Sequence, residues 1–279
     1  VAALGNHPRR LTALAVVLMA AVGWPWMILS VVNVGLAEAL MPAMDDYLSA
    51  GGLAVGLAMW VAMVFAMMLP TAAPTFRAYA DAVGGGALLP KSGTWTVMVR
   101  CTSSRRRRRA APTGRADAGT VGGGAMALIA GYTTVWLVAS VAATVVQTWL
   151  VHLGALAPHM APAGVALSAS ILVAAGIYQF TPLKWACLYR CRNPHVSDVK
   201  AGAGAAYRIG IEEGLACLGC CWAMMAVMFA TGLMNLGAMA LLGALMGLEK
   251  LLSGAGLTYF LGVLFILAGV ILASGLVIG

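Results

Sequence analysis

The chain has 279 residues, of which 62% are hydrophobic and only 9% charged. Soluble globular domains carry about 25% charged residues; a chain this apolar lacks the polar surface to cover itself, which excludes an ordinary soluble domain and makes lipid its expected solvent. The formal net charge of +8 then reads as basic loops held on one side of a membrane rather than as a nucleic-acid footprint.

In chain order, Leu11 to Val32 is uncharged and long enough to span about 30 Å of hydrocarbon at about 1.5 Å per residue. It exceeds the apolar core of a secretory signal and is expected to be a retained first helix. Gly52 to Leu69 is the second span, ending at Pro70 and Pro74, where missing donors oppose helix continuation. Residues 84–122 change character: they hold Gly84-Gly85-Gly86 and the stretch Arg105 to Arg109, and they run into Gly122-Gly123-Gly124. No apolar period survives there, so a disordered, basic, Gly/Arg-rich cytoplasmic loop within a single membrane domain (1–279) is expected.

Ala125 to Val151 is the third span and Ala163 to Phe180 the fourth, followed by a polar segment from Thr181 to Arg208. Ile209 to Leu248 is twice one span and divides at Thr231-Gly232-Leu233-Met234-Asn235; Glu249-Lys250 closes the sixth span, and Leu257 to Ile278 is the seventh. The expected fold is all-α, a polytopic membrane bundle of about seven helices. All 17 Lys and Arg residues then fall in segments 1–10, 70–123, 181–208 and 249–255, and none on the other side. This one-sidedness predicts a cytoplasmic N-terminus in a bacterial inner membrane. Merging the fifth and sixth spans would leave six, at the cost of a helix of about 40 residues and Lys250 outside, against the charge rule.

Five of the six cysteines lie between Cys187 and Cys221. Cys187-x3-Cys191 follows the fourth span, and Cys217-x2-Cys220-Cys221 opens the fifth. Residues at i, i+3 and i+4 share a helix face, so two such faces meeting would gather four or five sulfurs, the donor set a soft metal ion needs. Disulfides are not expected on a reducing cytoplasmic side. Packing remains the alternative, since buried free cysteine behaves as a small hydrophobe. Of 17 methionines, Met63 and Met67 continue a four-residue stripe from Met59, while Met224 and Met228 prolong the line of Cys217 and Cys221. Thioethers are neutral soft ligands suited to Cu(I), and methionine also serves as gap filler.

Tyr178-Gln179, Glu212-Glu213 and Asn235 are polar residues at span ends, where such groups are expensive. The glutamates are expected to pair with Lys184, Arg190 or Arg192, and His195 is a further candidate ligand. No Walker loop, GxGxxG turn or H-E-x-x-H helix occurs, so no motif points to an enzymatic reaction, and the arginine run lacks the aromatic interleaving of a nucleic-acid site.

Three stretches carry a family resemblance. They are Trp60-x2-Met63-x3-Met67-Met68-x-Pro70-x3-Pro74; Tyr178-Gln179-x-Thr181-Pro182-Leu183-Lys184-x2-Cys187-Leu188-x2-Cys191-Arg192-x-Pro194; and Gly214-x2-Cys217-Leu218-Gly219-Cys220-Cys221-Trp222. With Gly232-x-Met234-Asn235 and Glu249-Lys250, they resemble the DUF2182 family of bacterial integral membrane proteins, described as predicted metal-binding. The likeness covers about 54–83 and 123–278, and the segment 84–122 departs from the family's shorter connection. The resemblance implies a metal-binding membrane role and no reaction.

The combined expectation is metal handling or transport. A cytoplasmic-facing centre of Cys187, Cys191, Cys217, Cys220 and Cys221 would bind Cu(I), with Zn(II) second, and Met63, Met67, Met224 and Met228 would line a route. Lipid and the metal ion are the expected partners; no motif names a protein partner. A membrane thiol-redox component and a structural or assembly subunit without a site are the rival readings.

Overall fold

The structure is a computed structural model that describes residues 49–83, 118–156, 164–194, 202–232, 235–252 and 254–275, together with Leu18, Ala21, Gly23, Trp24, Pro25, Ile28 and Leu29. Most of the expected first span, the basic stretch up to residue 117, His195 and the turn at Leu233-Met234 lie outside the described residues.

The described residues form helices and no strand. Four helices are long and apolar enough to cross a membrane: α1 (Ala50–Thr71), α3 (Ala118–His152, apolar from Gly123), α6 (Ala203–Thr231) and α8 (Gly256–Ala273). A fifth crossing would be the pair α4 (Val165–Tyr178) and α5 (Pro182–Arg192), bent by 66°. Between them lie α2 (Ala73–Val83) and α7 (Leu236–Leu251), the latter 16 residues long.

Pro70 shapes the end of α1. It has no N–H to give, and its ring would crowd the carbonyl four residues back, that of Ala66. The helix widens into a π turn over Val64–Met68, with Leu69 N–H reaching Val64 O. Ala66 O accepts instead from Trp24 Nε1 at 3.1 Å. Met67, Met68 and Leu69 all face the interior at this turn.

The bend between α4 and α5 has a local cause. Thr181 caps α5 by accepting from Lys184 N at 3.3 Å, and Pro182 takes the first helical position, where its missing donor costs nothing. The polar stretch 181–208 was expected outside the spans. Instead it contains α5 and the first turns of α6, because Ala203 rather than Ile209 begins that helix. Cys217 therefore sits about four turns into α6, near its middle, and not in its first turns.

The expected division of the long apolar stretch is present. Gly232 has φ 87°, open to glycine and costly for other residues, and Asn235 caps α7 by accepting from Ala238 N at 3.0 Å. Helices α3 and α6 pack backbone to backbone, since a Cβ on Gly131 would overlap Tyr207 O and one on Gly210 would overlap Leu128 O. Small residues permit such approach between apolar helices, and here they bring Tyr132 of α3 against α6.

Candidate metal centre

On α6, the i, i+3, i+4 spacing turns three thiols to one side. The Sγ atoms of Cys217, Cys220 and Cys221 all lie within 4.8 Å of one another, and all three residues are buried. Cys220 and Cys221 sulfurs are 3.2 Å apart, and Cys220 Sγ donates to Cys217 O at 3.1 Å. Helix α5 supplies a fourth sulfur: Cys191 Sγ is 3.7 Å from Cys220 Sγ. Two thiolates at about 2.3 Å from one tetrahedral ion stand about 3.7 Å apart, so this cross-helix separation already suits a shared ion.

Cys187, one turn earlier on α5, sits over Gly219. A Cβ there would lie 2.5 Å from its sulfur, so the absence of a side chain lets α5 approach α6. Cys187 and Cys191 are both partly accessible, whereas the α6 cysteines are not.

Charged and polar groups close the centre on the side of α7. Lys250 Nζ donates to Cys217 Sγ at 3.0 Å and to Thr71 Oγ1 at 2.7 Å. Tyr132 Oη lies 3.0 Å from the same sulfur and 3.2 Å from Met68 O, with one proton to share between them. The Pro70 turn of α1 thus places Met68 and Thr71 where the residues surrounding Cys217 can use them. The neighbouring Glu249 faces the other way. Its Oε2 accepts from Lys184 Nζ of α5 at 2.7 Å, and Lys184 also donates to Cys220 O at 2.6 Å. Arg192 grips Glu249 O through Nη2 at 2.6 Å and Nε at 2.9 Å. Glu249 and Lys250 together fasten α5 and α6 around the sulfurs.

Four of the five expected cysteine ligands, Cys191, Cys217, Cys220 and Cys221, come together, with Cys187 one turn away on the same helix as Cys191. Met63, Met67, Met224 and Met228 are all buried in the core that holds the α6 cysteines. Glu212 and Glu213 pair with Arg190 at 2.8 and 3.4 Å, one of the partners expected for them. Glu249 and Lys250 lie in the last turn of α7, where the sequence reading closes the sixth span, and their side chains are 2% and 9% exposed, turned onto the centre rather than to solvent.

Sequence reasoning missed Tyr132, Thr71, Lys250, Lys184 and Glu249 as parts of the site. Two charges ending an apolar helix were a signal, since ionisable groups at membrane depth are costly and mark function. Tyr132 carried no such signal, being one aromatic in a long apolar span. A separate cavity of about 640 Å³ lies on another side of α6, lined among others by Trp60, Trp136, Trp222 and Phe229. No cysteine lines it, so it is not part of the centre.

No curated protein and no solved structure matches the chain. The sequence pattern of PpoB2, described as a copper chaperone, matches residues 57–272, a stretch that takes in every residue of the centre. The chain belongs to the PpoB2 copper chaperone family.

Proposed function

We propose that the chain is a multi-pass protein of the bacterial inner membrane, crossing about seven times from a cytoplasmic N-terminus, that receives Cu(I) on cysteine sulfur and passes it on as cargo. The observation that carries this reading is the convergence of Cys217, Cys220 and Cys221 within 4.8 Å, with Cys191 of another helix 3.7 Å from Cys220. Membership of a copper chaperone family and the resemblance to DUF2182 proteins support it.

Thiolates and thioethers are the soft donors Cu(I) favours. Cys187 and Cys191, partly accessible on α5, would take the ion first. Transfer from Cys191 to Cys220 needs little motion, because each sulfur can bind before the other lets go. Met63, Met67, Met224 and Met228 would carry the ion onward without adding charge to the apolar interior. Zn(II), which needs about four fixed donors, is the second choice.

Anaerobic titration of the purified protein tests the reading. About one equivalent of Cu(I) should bind per chain, as converging thiolates require, and Cys217→Ser/Cys220→Ser/Cys221→Ser should abolish it. Full stoichiometry in the triple variant would refute the site.

A second reading, a thiol-redox component, draws on the same 3.7 Å separation of Cys191 and Cys220. It requires a thiol pair that titrates reversibly with two electrons while copper binding is weak.

A further inference from the structure

The thiol cluster has a built-in cation beside it. Lys250 is 9% exposed, and its Nζ spends two of its three hydrogens on Cys217 Sγ and Thr71 Oγ1, at 3.0 and 2.7 Å. A buried ammonium needs a partner of opposite charge. Glu249, the adjacent carboxylate, is committed to Lys184, and Glu213 to Arg190. The sulfur of Cys217, 3.0 Å from Nζ, is in direct contact with Lys250. No carboxylate joins the three sulfurs in the cluster among the described residues.

Any ion bound to Cys217 must therefore sit close to Lys250. With a metal–sulfur bond of about 2.3 Å on one side of the sulfur, ion and ammonium are within about 5 Å. Their repulsion scales with the charge of the ion, and a water-poor interior screens it weakly. A divalent ion feels twice the opposition from Lys250 that a univalent ion feels, so removing that one charge relieves the divalent ion more.

We propose that Lys250 is a specificity-determining residue that tunes the centre towards a univalent soft cation and against divalent ones. The inference rests on the copper reading above and adds its charge selection. Lys250 acts through space and through Cys217 without ligating the ion, which makes it a positioning residue.

The test compares Cu(I) and Zn(II) affinities, measured by chelator competition on the full chain in detergent, for the parent, Lys250→Gln and Lys250→Arg. Gln keeps a donor near Cys217 and Thr71 and removes the charge; Arg keeps the charge. In K250Q the Zn(II)-to-Cu(I) affinity ratio should rise about tenfold or more, the direction set by halved against full repulsion, and K250R should stay close to the parent. Where K250Q does not fold, Lys250→Met, a neutral chain of similar length, gives the same comparison. A purely structural role would weaken both metals alike and leave the ratio unchanged, and that result would overturn the proposal, as would a shift towards Cu(I). A parent protein that binds neither metal would instead refute the copper reading itself.

Discussion

Cys187 occupies the space a side chain at residue 219 would need: its sulfur lies 2.5 Å from where a Cβ on Gly219 would stand. The missing Cβ leaves the Cys187 sulfur its place against α6. Gly219→Ala should push that sulfur aside and crowd α5, lowering stability by about 1–3 kcal/mol, as overpacking does, and weakening Cu(I) binding. Thermal melts in detergent and chelator competition read both; an alanine variant with unchanged melting and affinity would show that residue 219 has room for a methyl group.

Lys184 and Glu249 form an ion pair at 2.7 Å with side chains 1% and 2% exposed. Removing one member leaves a buried charge without its partner. Lys184→Met is expected to cost about 3–5 kcal/mol, and Lys184→Met/Glu249→Leu to recover most of that. If the double variant is no more stable than the single one in a melting series, the pair is not what penalises the single change.

The two α5 cysteines should differ. Cys191 lies 3.7 Å from Cys220, while Cys187 stands over Gly219. Cys191→Ser should weaken Cu(I) binding about as much as Cys220→Ser, and the double variant should lose little more, since ligands of one ion are non-additive. Cys187→Ser should cost less. Additive losses for Cys191 and Cys220 would mean that they serve separate ions.

Tyr132→Phe removes the hydroxyl 3.0 Å from Cys217 Sγ and leaves Lys250 Nζ, at 3.0 Å, in contact with that sulfur. The expected loss is about 1 kcal/mol, that of one hydrogen bond. Calorimetric or denaturant measurement of a loss matching that of Lys184→Met would assign Tyr132 a larger packing role.

Topology has its own test. Reporter fusions within 84–122 should signal from the cytoplasm and fusions after Gly279 from the periplasm, as the one-sided distribution of Lys and Arg requires. A cytoplasmic signal at Gly279 would defeat the seven-span arrangement.

Much of this was legible in local pattern. The cysteine spacing on α6 is a statement about one helix, and 3.6-residue periodicity turns Cys217, Cys220 and Cys221 to one side wherever that helix packs. The division at Gly232 was equally local, because a residue with φ 87° ends a helix by its own backbone. The start of α6 differs from the sequence reading because the charge of Arg208 marks a membrane boundary without ending a helix, which runs back through small residues to Ala203. The cluster consequently lies deeper in α6 than hydropathy placed it.

Composition alone determined that the chain carries helices apolar enough to cross a membrane, and spacing alone determined that it carries a soft-donor face. What surrounds that face was decided only by the fold. Lys250 is 33 residues from Cys217 in the chain, Tyr132 is 85 residues away, and Thr71 lies 179 residues from Lys250. No local period relates positions so far apart. They meet because Gly131 and Gly210 let two backbones touch, because Pro70 opens a π turn that aims Met68 and Thr71 inward, and because burying Lys250 is tolerable only where a sulfur and a hydroxyl receive its protons.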